Sequence, residues 1–232
     1  MDLNKFYETW HEELHHHIHH LTNSPRPPTT PDHHHQLTQL VNQLLLHFSQ
    51  YYRVTSLAAT QNTLFYPRWS TTLERSLHWL TGWRPTTLFH LLYTESGILF
   101  ESRLFDIIHG VQTGDLGDLT APQLTRLSEL QCETVKLENA ISDEMSEWQD
   151  DTVGVMGRTS VDVDIIGQLV KIMDKANDLR LRTLAKVVEV LTPQQAVDLM
   201  IAAARLQLGI RRLGLKHDRE RIEPSKQNQK AC

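Results

Sequence analysis

Apolar residues return every third or fourth position through most of this chain, and that period fits one kind of element, the amphipathic helix. Residues 4–21 place Phe6, Trp10, Leu14, Ile18 and Leu21 on one side. A second helix is expected from about Gln36 to Tyr52, rich in leucine and closing on two tyrosines. Leu73, Leu77 and Leu80 share a face, as do Leu88, Leu91 and Leu92 after a turn. The longest stripe, Leu127, Leu130, Leu137, Ile141, Met145 and Trp148, predicts a helix of about 28 residues, roughly 42 Å long. Another runs through Ile165, Leu169, Ile172, Ala176, Leu179, Val187 and Val190, and the last through Ala196, Leu199, Ala203, Leu206, Ile210 and Leu213, ending near Gly214. Helices this long cannot cover such wide stripes alone and must pack on each other. The expected fold is all-α, a single-domain bundle of long amphipathic helices.

Punctuation supports the same division. Thr71 with Glu74, Thr120 with Gln123 and Thr192 with Gln195 are spaced as capping boxes, in which two side chains satisfy free N–H groups of a first turn. Pro193 sits where a first helical turn accepts proline, and Pro85 is placed likewise. Gly82 is expected to take the left-handed conformation that ends a helix. Four prolines in "TNSPRPPTTPD" break the chain after the first helix. The resulting organisation is a histidine-rich amphipathic helix over 1–21, a Pro/His-rich loop over 22–35, the main helical domain over 36–215, and a basic, disordered tail over 216–232. Glycines in "TVGVMGRTS" (152–160) interrupt the two longest helices.

Charge bears on partners. The net charge is −5. From Arg205 onward there are eight Lys/Arg against three Asp/Glu, so the rest of the chain carries −10. An acidic body repels phosphate backbones, and the basic end reads as solvated chain, with a nuclear address or a weak anion contact as the alternatives. No apolar run approaches the ~18 residues of a membrane span. The start, "MDLNKFYETW", has neither basic leader nor apolar core, so no secretory signal is expected. Two cysteines, Cys132 and Cys232, make no disulfide framework, and a reducing compartment, nucleus or cytoplasm, is expected.

The segment "HEELH" (11–15) matches H-E-x-x-H, which places two zinc-binding histidines and a catalytic glutamate on one helical turn. A zinc hydrolase also needs a third ligand inside a walled site. The extended pattern would want Gly at 18 and His at 21, where this chain has Ile18 and Leu21. Nine of the fourteen histidines fall in the first 35 residues, which makes a chance match there unsurprising, and the apolar stripe turns most of them to solvent. No metal, cofactor or catalytic residue is assigned. Asp162 and Asp164 stand two apart and face different ways on a helix. The acidic run Glu133, Glu138, Asp143, Glu144, Glu147, Asp150 and Asp151 lacks calcium-loop spacing and reads as a solvated face. Trp10, Tyr51, Tyr52, Trp69, Trp79 and Trp83 read as core and cap packing rather than as a ligand box. Trp69 and Trp83 bracket the capped helix, and Cys132 lies off the apolar stripe.

Four segments in order carry a resemblance. "RWSTTLERSLHWLTGWRPTTLFHLL" resembles the tryptophan, E-R, W-L-G-G and R-P-S run of the plant DELAY OF GERMINATION (DOG) domain. "LTAPQLTRLSELQCETVKLENAISDEMSEWQD" is similar to its long acidic helix. "LVKIMDKANDLRLRTLAKVVEVLTPQQAVDLMIAAARLQLGIRRLG" is similar to the A-D-x-L-R-x-x-T-L and L-T-x-x-Q-A sections, and "FYETWHEEL" to the first helix. The likeness covers about residues 5–215. The same domain forms the C-terminal half of TGA-type basic-leucine-zipper transcription factors, whose zipper and basic region have no counterpart before Phe6. Direct DNA reading is therefore not expected.

The resemblance implies a plant regulatory protein without catalysis, acting through protein contacts in seed dormancy, abscisic-acid-type signalling or transcriptional regulation. Type 2C protein phosphatases and DNA-bound TGA-type factors are the implied partners; a pollen-aperture role is a further branch of the family. Haem binding in the family uses histidines one turn apart on the last helix, and the matching positions here are Gln207 and Arg211, neither a normal haem ligand. Candidate partner contacts are Tyr7 and Trp10 on the first helix and Glu144 and Glu147 on the acidic face. Exposed stripes are compatible with self-association.

Overall fold

The computed structural model describes residues 3–59, 70–155 and 163–222. Its elements are α1 (Leu3–Asn23), α2 (Pro31–Ala59), α3 (Thr72–Leu77), α4 (Thr87–Ser102), α5 (Leu104–Ile108), α6 (Ala121–Val155), α7 (Val163–Val190) and α8 (Pro193–Ile222). The all-α bundle holds. α2 packs against α1, α7 and α8; α8 also carries α1, α3 and α4. α6 and α7 form an antiparallel pair, since Glu133 meets Lys186, Glu144 meets Lys175, and the Trp148 indole reaches the Ile165 carbonyl. The main core gathers Trp10, Leu14, Leu44, Phe89, Leu127, Val187 and Leu199 from six helices, with Leu116 inserted from the loop before α6. Smaller clusters, Ile141 with Ile172 and Leu179, and Leu169 with Met173, follow α6–α7 outward.

All three capping boxes form. Thr71 and Glu74 exchange bonds of 2.8 and 3.2 Å. Thr120 and Gln123 do so at 3.0 and 3.4 Å, and Thr192 and Gln195 at 3.0 and 3.3 Å.

Several boundaries differ from the sequence expectation, each for a local reason. α2 begins at Pro31 rather than near Gln36, because Thr30 Oγ1 accepts the His33 N–H at 3.2 Å and proline suits the first position. α6 runs 35 residues, about 52 Å. α8 passes through Gly214 and includes residues 216–222, which the sequence suggested were tail. Gly214 is there for closeness: a Cβ on it would stand 2.1 Å from the Thr71 Oγ1. Glu138, expected on the solvent face, is 3% exposed and accepts bonds from the Thr86 N–H and hydroxyl at the start of α4. Leu77, Leu137 and Leu213, expected on packed stripes, are exposed. Trp69, Asp162, Cys232 and residues 223–232 lie outside the described residues.

Candidate functional site

Spacing placed Tyr7 and Trp10 on one side of α1, and the fold puts both inside, 1% and 2% exposed. As partner contacts they are corrected: each is already committed to this chain. The Trp10 indole N–H donates to the His47 carbonyl at 3.0 Å, while the His47 Nε2–H donates to the Trp10 carbonyl at 2.9 Å. Their rings stack at 4.7 Å and 3°. The Tyr7 hydroxyl donates to Glu74 Oε1 at 2.8 Å, and the Arg211 guanidinium lies 4.5 Å above the Tyr7 ring and 3.6 Å from Glu74. Burial raises the Tyr7 phenol far above its ordinary pKa. The capping glutamate of α3 thus ties α1, α3 and α8 together.

His11, first letter of the H-E-x-x-H match, is also interior, unlike most of the histidine run. Its Nδ1–H donates to the Tyr7 carbonyl at 2.9 Å, and its Nε2 is buried among the Tyr7 and Trp10 rings without a hydrogen-bond partner. Burial lowers its pKa to about 4, and His47, stacked on Trp10, falls to about 4 for the same reason. Glu12 and His15 face outward. Among the described residues no group of three His, Cys, Asp or Glu side chains is placed to hold a metal ion.

The second constellation surrounds a tight turn after α3. Trp79 and Gly82 bond to each other's backbone at 2.6 and 3.2 Å, and Leu80 and Thr81 between them have φ of 46° and 67°. Gly82 therefore does not end a helix in the left-handed region; α3 ends at Leu77. The glycine provides room instead, for a Cβ there would meet the Arg180 guanidinium at 2.9–3.2 Å. Arg180, 4% exposed, holds the turn: Nε–H donates to the Trp83 carbonyl, Nη2 to those of Trp79 and Leu80, and Nη1 to Asn177 Oδ1. The Tyr52 and Trp79 rings lie 5.7 and 5.5 Å from it. A left-handed conformation at two non-glycine residues costs of order 1–3 kcal/mol each, which the guanidinium bonds offset.

Beside this turn lies a cavity of about 110 Å³, walled by Trp10, Tyr51, Tyr52, Trp83, Leu184 and Arg180. Four of the aromatics read from sequence as packing alone therefore also line a space. Sequence reasoning missed Arg180, though a signal was present: it falls on the buried stripe of α7, four positions after Ala176 and seven after Met173, where a charge is out of place.

Outward-facing residues form two further regions. Glu144 reaches Lys175 at 2.6 Å, and Glu147 is exposed on the same helix. On α4–α5 and just beyond, Ile98, Phe100, Leu104, Phe105, Ile108 and Val111 are all exposed, Phe105 by 75% and Ile108 by 71%. So dense an apolar run at a surface marks a contact region more often than chance exposure does. Cys132 is exposed. At the positions matching the family's haem histidines, Gln207 accepts the Trp83 indole N–H at 2.7 Å and Arg211 is held by Glu74 and Tyr7. These residues do not fit a haem iron.

Comparison with known proteins agrees in one direction. A family model described as "DOG1: Seed dormancy control" matches residues 12–94. Protein DOG1-like 2 of Arabidopsis thaliana is 34% identical over 177 residues, 68% of this chain and 66% of that protein. DOG1-like 4 of the same plant is 28% identical over 232 residues, 90% of each. The TGACG-sequence-specific DNA-binding protein TGA-2.1 of Nicotiana tabacum is 26% identical over 199 residues, 84% of this chain but 42% of that protein. The chain thus spans about two-thirds of DOG1-like 2 and less than half of the tobacco protein.

Proposed function

We propose a mode of action from one premise: this chain belongs to the DOG1 seed-dormancy-control family and is a regulatory DOG-domain protein. It works without catalysis, as an adaptor whose outer surface docks protein partners in dormancy or abscisic-acid-type signalling or in transcriptional control. The observation that carries this reading is the exposed apolar row of α4–α5, led by Phe105 and Ile108. The acidic face with Glu144 and Glu147 adds charge that steers a basic partner surface. Type 2C phosphatases are the first partner class, in the nucleus or cytoplasm. No described helix is long and apolar enough to cross a membrane.

The test is recovery of purified type 2C phosphatases on immobilised full-length protein. The double variant Phe105→Glu/Ile108→Glu should lose at least ten-fold in recovery, and Glu147→Lys about two-fold, while helical content stays unchanged. Undiminished recovery with the double variant would remove α4–α5 from the reading.

The relation to TGA-type proteins favours a second reading, association with DNA-bound zipper factors. A gel shift across a salt series separates direct from indirect binding. Phosphate-driven contact weakens steeply with salt, whereas a supershift that requires the zipper factor tracks that factor.

A further inference from the structure

The cavity beside the Trp79–Gly82 turn has a composition that packing alone does not demand. Its walls are aromatic and aliphatic, yet a buried guanidinium reaches one side. Among the described residues no carboxylate lies within ion-pair distance of Arg180. Its charge is met by backbone carbonyls, an amide oxygen and two ring faces. Five N–H groups are available on a guanidinium, and four are used here, leaving one on Nη1. Arg84 also lines the space, with its side chain half exposed, and buried Glu138 is 3.6 Å from it and occupied by Thr86. A second buried carboxylate, Glu74, acts on the lining residues Tyr51 and His78 and is 3.6 Å from Arg211. Three guanidiniums against two carboxylates leave this wall positive. His78, also lining it, is kept neutral near pH 7 because burial lowers its pKa to about 4.

Ligand pockets combine an apolar lining with a few convergent polar groups, and a low-dielectric wall makes an unmatched positive charge attractive to an anion. The volume limits the ligand. An engineered, fully enclosed cavity of about 150 Å³ takes one benzene; the 110 Å³ here opens to solvent, so a single flat ring seats in it with its charged end at the mouth beside half-exposed Arg84. Flat rings stack favourably against tyrosine and tryptophan faces, which this lining supplies.

We propose that this cavity binds a small aromatic carboxylate of the benzoate class, its ring between Tyr51, Tyr52 and Trp83 and its carboxylate at Arg84 and the remaining Nη1–H of Arg180. This assigns the protein a small-molecule site beyond the docking role and independent of it. Because Arg180 also fastens the strained turn, the occupied site stiffens the turn and the first residues of α4.

The probe is 4-fluorobenzoate, followed by fluorine NMR line broadening on the full chain, with 4-fluorobenzamide as the neutral isostere. The acid should bind at one site at least ten-fold more tightly than the amide. Arg180→Met removes a structural group as well as a charge, so two other variants carry the test. Ala203→Leu fills the space from α8 and should abolish broadening while far-UV ellipticity stays native. Arg84→Gln should weaken the acid five- to ten-fold and leave the amide unchanged. Equal binding of acid and amide, absence of binding by the acid, or undiminished binding in Ala203→Leu would each overturn the proposal.

Discussion

At its Leu127–Leu130 end the α6–α7 pair is sunk among α1, α2, α4 and α8, while toward its Met145–Trp148 end, among the described residues, it rests on little beyond itself and the Trp79–Leu80 turn. The inner region combines an aromatic core with buried polar ties: Trp10 to His47, Tyr7 to Glu74, Arg180 to three carbonyls. The outer region has Ile172, Leu169 and Met173 against half-buried Met145 and Trp148, with the Lys175–Glu144 pair on the surface. One helix pair therefore has two kinds of stability. Its inner half shares the cooperativity of the body, and its outer half opens at lower cost, as expected where few apolar contacts hold backbone in place.

The sharpest way to break that contrast is Trp10→Ala. Removing a fully buried indole costs about 3–5 kcal/mol, and it also strips the His47 carbonyl of its donor. Urea unfolding should shift for the whole molecule, including the outer half; an unchanged midpoint would mean that the inner region is not cooperative.

Acid comes next. His11 and His47 take a proton near pH 6.5 when unfolded and only near about 4 when folded. Between those values the unfolded chain binds more protons, so stability falls as pH drops from 6.5 toward 4 and levels off below. The loss is about 3 kcal/mol for each imidazole. Trp10 fluorescence should report it, and His47→Gln should flatten the profile.

Leu169→Ala should cost about 2 kcal/mol, at the low end for a buried leucine because the site can collapse. The loss should appear in hydrogen exchange of residues 141–155 and 163–176 with little change at α1. Protection lost equally in α1 would erase the distinction between the halves. Smallest is Lys175→Ala. An exposed ion pair contributes under about 1 kcal/mol, and its melting temperature should stay within a degree or two of wild type.

Much of this was legible in the sequence, and the reasons are physical. Helical period and capping boxes are local, and each of the three boxes formed as its spacing implied. What escaped was a residue's second use. Glu74 was visible as a cap, but not as the acceptor for Tyr7, because 67 residues of chain separate them. Gly82 and Gly214 looked like helix terminators and instead make room for Arg180 and Thr71, since close approach leaves no mark in a sequence window. Glu138 looked solvated because a helical wheel shows polarity and not what packs opposite. Tyr7 and Trp10 looked available on a terminal helix, yet that helix is the one on which the aromatic core closes. Arg180 alone broke its stripe in plain view.

The six residues of α3 lead to a last point. A helix of barely two turns does not persist by itself. Its first turn is pinned from the front of the chain by Tyr7 through Glu74 and from the back by Asp218, which accepts the Thr72 N–H at 3.0 Å. The segment is consequently a reporter of joint seating: its amides stay shielded only while α1 and the far part of α8 are both in place. Anything that pries up either helix unwinds it, and the slack passes directly into the neighbouring turn that Arg180 grips.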